Sequence, residues 1–262
     1  MPFVPFPRGL IAPGLVLLLL SSGISSVARA DDDEDEAAIQ EVFLGELVFP
    51  QEAGEVQATL ALAHDDENTS AGLAVEWGWT DSWQLELELD GVLDGDRTGL
   101  GRVEIGGRHS TLDLGSGFHL AAGLALAFTP EALDSERRRN ALDLEPTLIV
   151  ARDFTDGLHG FVQLGLEWNL DEGDPSRSLA DEDEPEDALE MVLGGYAATP
   201  WGGWTLEVAF ERELEDAEET ESVAALGVVA KLGDGWELGA AGFVGLSDGA
   251  EDGFLLTLTV ER

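Results

Sequence analysis

From Trp83 to Asp90 the sequence reads WQLELELD, setting Gln84, Glu86, Glu88 and Asp90 at every second position. Side chains at that spacing share one face of a β-strand, with Trp83, Leu85, Leu87 and Leu89 on the other. A row of carboxylates is not by itself a general acid or base. It attracts cations and holds water. With strand phase taken from the apolar set, the same polar face collects Glu76, Glu104, Asp143, Glu145 and Glu167. Further along it adds Glu190, Glu207, Glu211 and Glu237. Against these twelve acids stand Arg102, Arg108 and Lys231, which cannot pair with all of them. Two readings stay open: an interior closed by hydrogen-bonded, partly protonated carboxylates, or an acid-lined, cation-preferring path.

Hairpin register sharpens the second reading. A three-residue turn TDS pairing Trp79 with Trp83 sets Glu76 opposite Glu86, two like charges ~5 Å apart that cost free energy unless a proton or cation intervenes or lumen water screens them; the reading taken is a cation-attracting site. In the next hairpin the expected register sets Glu88 opposite Arg102 as an ion pair. The histidines carry less. His109 and Ser110 are adjacent and point to opposite strand faces, and no G-x-S-x-G elbow is present, so no catalytic residue is assigned. His119 and His159 fall in the polar phase as wall residues. None of the four histidines has metal-ligand spacing, so neither metal site nor cofactor is expected.

The elements that must carry these faces are strands. Alternation bounded by turn residues marks roughly 55–64, 71–79, 83–90, 99–109, 117–128, 141–153, 158–169, 188–199, 203–212, 222–232, 236–246 and 253–261. Most approach the ~9–11 residues with which a tilted strand crosses a bilayer. The connections alternate. TDS, STLDLGS, TDG, PWG and GDG are short or light in charge, while DDENTS, GVLDGDRT, TPEALDSERRRN, LDEGDPSRSLADEDEPED, ELEDAEETE and SDGAEDG are longer or strongly charged. Of seven tryptophans, all but Trp168 lie near a short turn, as at one membrane–water interface. About twelve strands around an apolar interior would leave a void, which favours the apolar face pointing outward at lipid.

The predicted fold class is therefore all-β, a transmembrane up-and-down antiparallel β-barrel of about twelve strands, ten to fourteen being compatible with the pattern. A soluble periplasmic β-sandwich is the structural alternative.

The amino terminus reads as an export signal: Arg8, the apolar run LVLLLL, then Ala28 and Ala30 before Asp31. The expected organisation is a signal peptide at 1–30, an acidic periplasmic amino-terminal segment at 31–54 and the barrel at 55–262. Within the second part, Ile39, Val42, Phe43 and Leu47 fit helical spacing while their branched and aromatic types suit a strand. A net charge of −41 argues against nucleic acid and against anionic lipid headgroups as partners, and the acidity also suits a saline habitat. Zero cysteines exclude disulfides and thiolate metal sites. The acidic outer loops are expected to associate with Ca²⁺ or Mg²⁺ weakly at most, since no calcium-loop pattern is present. RRR at 137–139 suits lipopolysaccharide phosphates.

At ELVFPQEAGE, VEWGWTDSWQLELEL, GRVEIGGRHS and LDLEPTLIVARDF the sequence resembles a broad family of bacterial outer-membrane transporter-like barrels labelled for the phenol-degradation meta-pathway. The resemblance implies a barrel in a Gram-negative outer membrane that passes small compounds, aromatic or not, and it carries no functional residue over. The last strand, GFLLTLTVER, resembles a signal for the barrel-assembly machinery in Gly253, Leu256 and Leu258 but ends in Arg262 instead of an aromatic. The functional expectation is a passive, non-enzymatic channel or transporter for a small solute, with Glu76, Glu86, Glu88, Arg102, Glu104, Arg108, His119, Glu145, His159, Glu167 and Glu207 on the lumen wall. Membrane lipid and lipopolysaccharide are the expected surroundings. A non-conducting structural or surface-interaction barrel is the functional alternative.

Overall fold

The computed structural model describes residues 42–65, 69–94, 97–130, 141–170, 187–214, 220–233, 235–247 and 250–262. The expected signal peptide, the DDDEDE run, RRR at 137–139 and most of the loop LDEGDPSRSLADEDEPED lie outside these residues.

Among the described residues are twelve strands: β1 Val56–Asp65, β2 Thr69–Thr80, β3 Trp83–Asp94, β4 Arg97–Thr111, β5 Phe118–Thr129, β6 Ala141–Thr155, β7 Leu158–Asn169, β8 Ala188–Thr199, β9 Gly202–Glu213, β10 Thr220–Gly233, β11 Trp236–Gly245 and β12 Gly253–Glu261. Each pairs antiparallel with its sequence neighbours, and β1 pairs with β12 from Gln57–Glu261 to Asp65–Gly253, closing the barrel. Closure satisfies every strand edge internally, which hydrocarbon requires because it offers no hydrogen-bond partner.

The faces divide cleanly. The ladder registers place every aspartate and glutamate side chain described within the strands on the inward face. Outward stand large apolar residues such as Ile105, Leu206 and Leu226, each about 60% exposed. An apolar belt running round the molecule has no place in water and is what lipid solvates. Trp77, Trp79, Trp83, Trp201 and Trp204 are exposed at the short-turn end. No helix among the described residues is long and apolar enough to cross a membrane.

Two connections of the longer or strongly charged set are short. β1 and β2 are joined by residues 66–68, and β3 and β4 by residues 95–96, because these strands run on beyond the apolar alternation. The tight turns lie at 81–82, 156–157 and 200–201. Gly202 opens β9 at φ 143°, against the Val229 carbonyl, where no Cβ has room.

Segment 42–55 corrects the sequence reading. It forms neither helix nor strand, and residues 42–51 lie inside the barrel instead of beneath it. Val42, Phe43, Leu44 and Val48 are buried in one cluster with inward residues of the wall, among them Ala61, Ala121, Ile149, Phe161, Ala225 and Phe243. A twelve-stranded barrel is too wide for its own side chains to fill, least of all with so many alanines and glycines facing inward, so a second piece of chain packs there.

Candidate functional site

The site is the interior, built by three groups of wall residues and the segment that threads among them. In the first, the buried Glu207 on β9 accepts hydrogen bonds from three successive backbone N–H groups, those of Phe43 (2.9 Å), Leu44 (2.6 Å) and Gly45 (3.0 Å). A carboxylate suits this position because consecutive donors converge on it and the segment has no ladder of its own. Gln163 on β7 accepts from the Glu46 N–H at 2.8 Å, and Gln84 on β3 accepts from the Gln51 N–H at 2.9 Å. The Phe43 ring lies over Gly227 of β10 and Gly239 of β11, where a Cβ at either would crowd it.

Arg108 on β4 gathers the acids of this level. It is buried and pairs with Glu46 of the segment and with Glu86 at 3.3 Å. Glu76 does stand opposite Glu86, as the first hairpin register requires. The cation expected between them is internal: the Gln84 amide donates to Glu76 at 2.6 Å and to Glu86 at 3.0 Å, and the Arg108 guanidinium supplies the positive charge. The turn differs, with Thr80 instead of Trp79 pairing with Trp83 across a bulge.

The second group lies toward the long-loop end. Arg102 pairs with Glu145, with Glu104 at 3.4 Å and with Glu167 at 3.8 Å. The expected Glu88–Arg102 pairing is overturned. Glu88 stands opposite Glu104, and Arg102 opposite Asp90. A two-residue connection and a bulge between Asp90 and Gly91 each moved the register by one. The total slip is even, so every side chain kept its face. Asp143, Glu145 and Glu167 bring carboxylate oxygens within 4.8 Å of one another, with Arg102 paired to the two glutamates and the Asn169 amide donating to Asp143. Between Leu44–Glu46 and the walls formed by Glu86, Glu88, Glu104, Glu145 and Glu190 remains a space of about 30 Å³, enough for a few waters.

The third group lies near the short-turn end. His119 and His159 share Asp153: His119 Nε2 is 2.8 Å from Oδ2, and His159 Nδ1 is 2.5 Å from Oδ1. The Asp113 N–H donates to His119 Nδ1 at 3.1 Å, which puts the His119 proton on Nε2. Phe49 of the threaded segment packs against both imidazoles, and Tyr196 stacks on His159. His109, by contrast, lies against Trp83 on the outside and Ser110 is buried on the inside, so the two do not meet.

Sequence reasoning missed Gln163, Asp153, Glu46, Gln51 and the aromatic residues Phe43 and Phe49. The signal available was the run of small residues in inward phase, Ala121–Gly123–Ala125 and Ala225–Gly227, which leaves room that something must occupy.

A closed antiparallel barrel, apolar outside and lined with carboxylates inside, defines a transmembrane β-barrel of the Gram-negative outer membrane. The chain is similar in fold to an outer membrane channel from Pseudomonas putida F1, with TM-score 0.60 and 12% identity over 89% of this chain and 99% of that one. It is similar to the NanC porin (TM-score 0.57, 10% identity, 78% and 98% covered) and to the KdgM porin (TM-score 0.56, 8% identity, 79% and 98% covered). No family model matches the chain and no curated protein matches it, so the phenol-degradation label that the motifs suggested is unsupported.

Proposed function

We propose that this chain is a passive outer-membrane channel for small solutes, gated by residues 42–51 and favouring cations. The observation that carries this reading is the placement of the segment. It crosses the lumen held by hydrogen bonds and ion pairs to β3, β4, β7 and β9, and it adds no strand to the wall. Such contacts exchange for water at modest net cost, which makes the segment a separable element. Above it the walls carry Glu88, Glu104, Glu145, Glu167 and Glu190 against Arg102, a balance that concentrates cations. The separation of His109 from Ser110 favours a non-enzymatic role.

Conductance in a planar bilayer tests the reading. The wild type is expected to pass small, intermittent currents. A variant lacking residues 42–51 is expected to pass larger and steadier ones, with a reversal potential in a salt gradient of the sign for cation preference. Absence of current in both proteins, each folded, would leave the non-conducting structural barrel as the better account.

A further inference from the structure

We propose that Arg152, flanked by the rings of Phe118 and Phe154, binds the phosphate of a phospholipid headgroup at the short-turn rim of the barrel. Among the described strand side chains the outward face carries no carboxylate. Its two arginines are Arg152, three residues inside the end of β6, and Arg212, near the opposite end of the barrel on β9. In a chain with 54 acids and 13 lysines and arginines, a guanidinium has abundant internal partners. Yet Arg152 is exposed and makes no ion pair with any described residue.

Its surroundings are built. Arg152 stands opposite Phe118 on β5 and opposite Gly160 on β7. Its Cζ lies 4.8 Å from the centre of the Phe118 ring and 5.4 Å from that of Phe154. The Phe154 ring reaches this place because position 160 is glycine: a Cβ there would stand 2.9 Å from the ring. Two rings hold the guanidinium by cation–π attraction and shed water from it, leaving its N–H donors for an acceptor at the rim. A phosphate meets that fork with two oxygens. The long arginine stem carries the charge from apolar surface toward the headgroup level. Exposed Val150 and Leu158 continue the apolar surface beside the site, so the ligand they suit has acyl chains as well as a phosphate. Short turns face the periplasm in this class of barrel, which assigns the site to the inner leaflet.

The full chain, purified in a mild non-ionic detergent, can be titrated with dioleoylphosphatidylglycerol and the bound lipid counted by native mass spectrometry. Arg152→Gln should weaken the tightest binding about tenfold, as loss of a charge-assisted pair does. Arg152→Lys should weaken it less, and Arg212→Gln should leave it unchanged. Dioleoylglycerol, with the same chains and no phosphate, should not compete. Phe154→Leu keeps the charge and removes one ring, so it should weaken binding even if Arg152→Gln does not fold. The proposal is overturned if folded Arg152→Gln, or in its absence Phe154→Leu, binds like the wild type. It is also overturned if dioleoylglycerol competes as well as the phospholipid does, or if millimolar inorganic phosphate displaces the lipid completely.

Discussion

Glu207 illustrates how much a single buried carboxylate can organise when its partners are backbone. Three N–H groups of residues 43–45 end on it, and no strand or helix would otherwise satisfy them. Glu207→Gln removes the charge and replaces one acceptor with a donor that faces those N–H groups. The expected cost is about 2 kcal/mol or more in docking the segment. Amide hydrogen exchange at Phe43, Leu44 and Gly45 should then speed up roughly 30-fold, while unboiled protein still migrates as a folded barrel. Unchanged exchange would mean that the Phe43 seat and the contacts to Arg108, Gln163 and Gln84 hold the segment without Glu207. At Glu76 and Glu86 the prediction follows from Arg108. Glu76→Gln with Glu86→Gln leaves that guanidinium with fewer counter-charges, so the reversal potential of conducting channels should move toward anions.

At the scale of elements, β10 and β11 are shaped by what they omit. Gly227 and Gly239 form the floor under Phe43, and both stand in inward phase where neighbouring strands carry larger residues. Gly227→Val should drive the ring off its seat, since the branched side chain claims the same space. The measurable outcome is a higher open probability than the wild type in planar bilayers, with strand content by circular dichroism unchanged. A wild-type open probability would remove the seat from the gating account. Bulges act differently. Those at Gly78/Thr80 and Asp90/Gly91 change which residues face each other across a hairpin without turning any strand over.

For the whole molecule, closure through β1 and β12 brings both ends of the barrel chain to the short-turn side, where Val56 and Arg262 exchange backbone hydrogen bonds of 2.8 and 2.9 Å. The chain has no cysteine, so introduced ones report topology without background. Ser247→Cys, after β11, should react on whole cells with a polyethylene glycol maleimide too large for porins. Pro200→Cys, before β9, should react only after the outer membrane is permeabilised. The reverse pattern would invert the barrel, and with it the leaflet assigned to Arg152.

The strands, their order and the face each side chain takes were legible in the sequence, because a lipid-facing wall imposes strict period-two alternation and any even slip in register preserves it. Glu88 and Arg102 show the limit: their face was readable, but their partners depended on a two-residue connection and a bulge that alternation does not encode. The contents of the lumen were legible only in outline. Phe43, Glu46, Phe49 and Gln51 precede the first strand, and their contacts reach strands far along the chain, as from Leu44 to Glu207. Local pattern reports which way a residue points and carries no term for what arrives from elsewhere. Whether the carboxylate face meets water, a cation or another stretch of chain is settled only when the barrel closes and leaves a space of definite width.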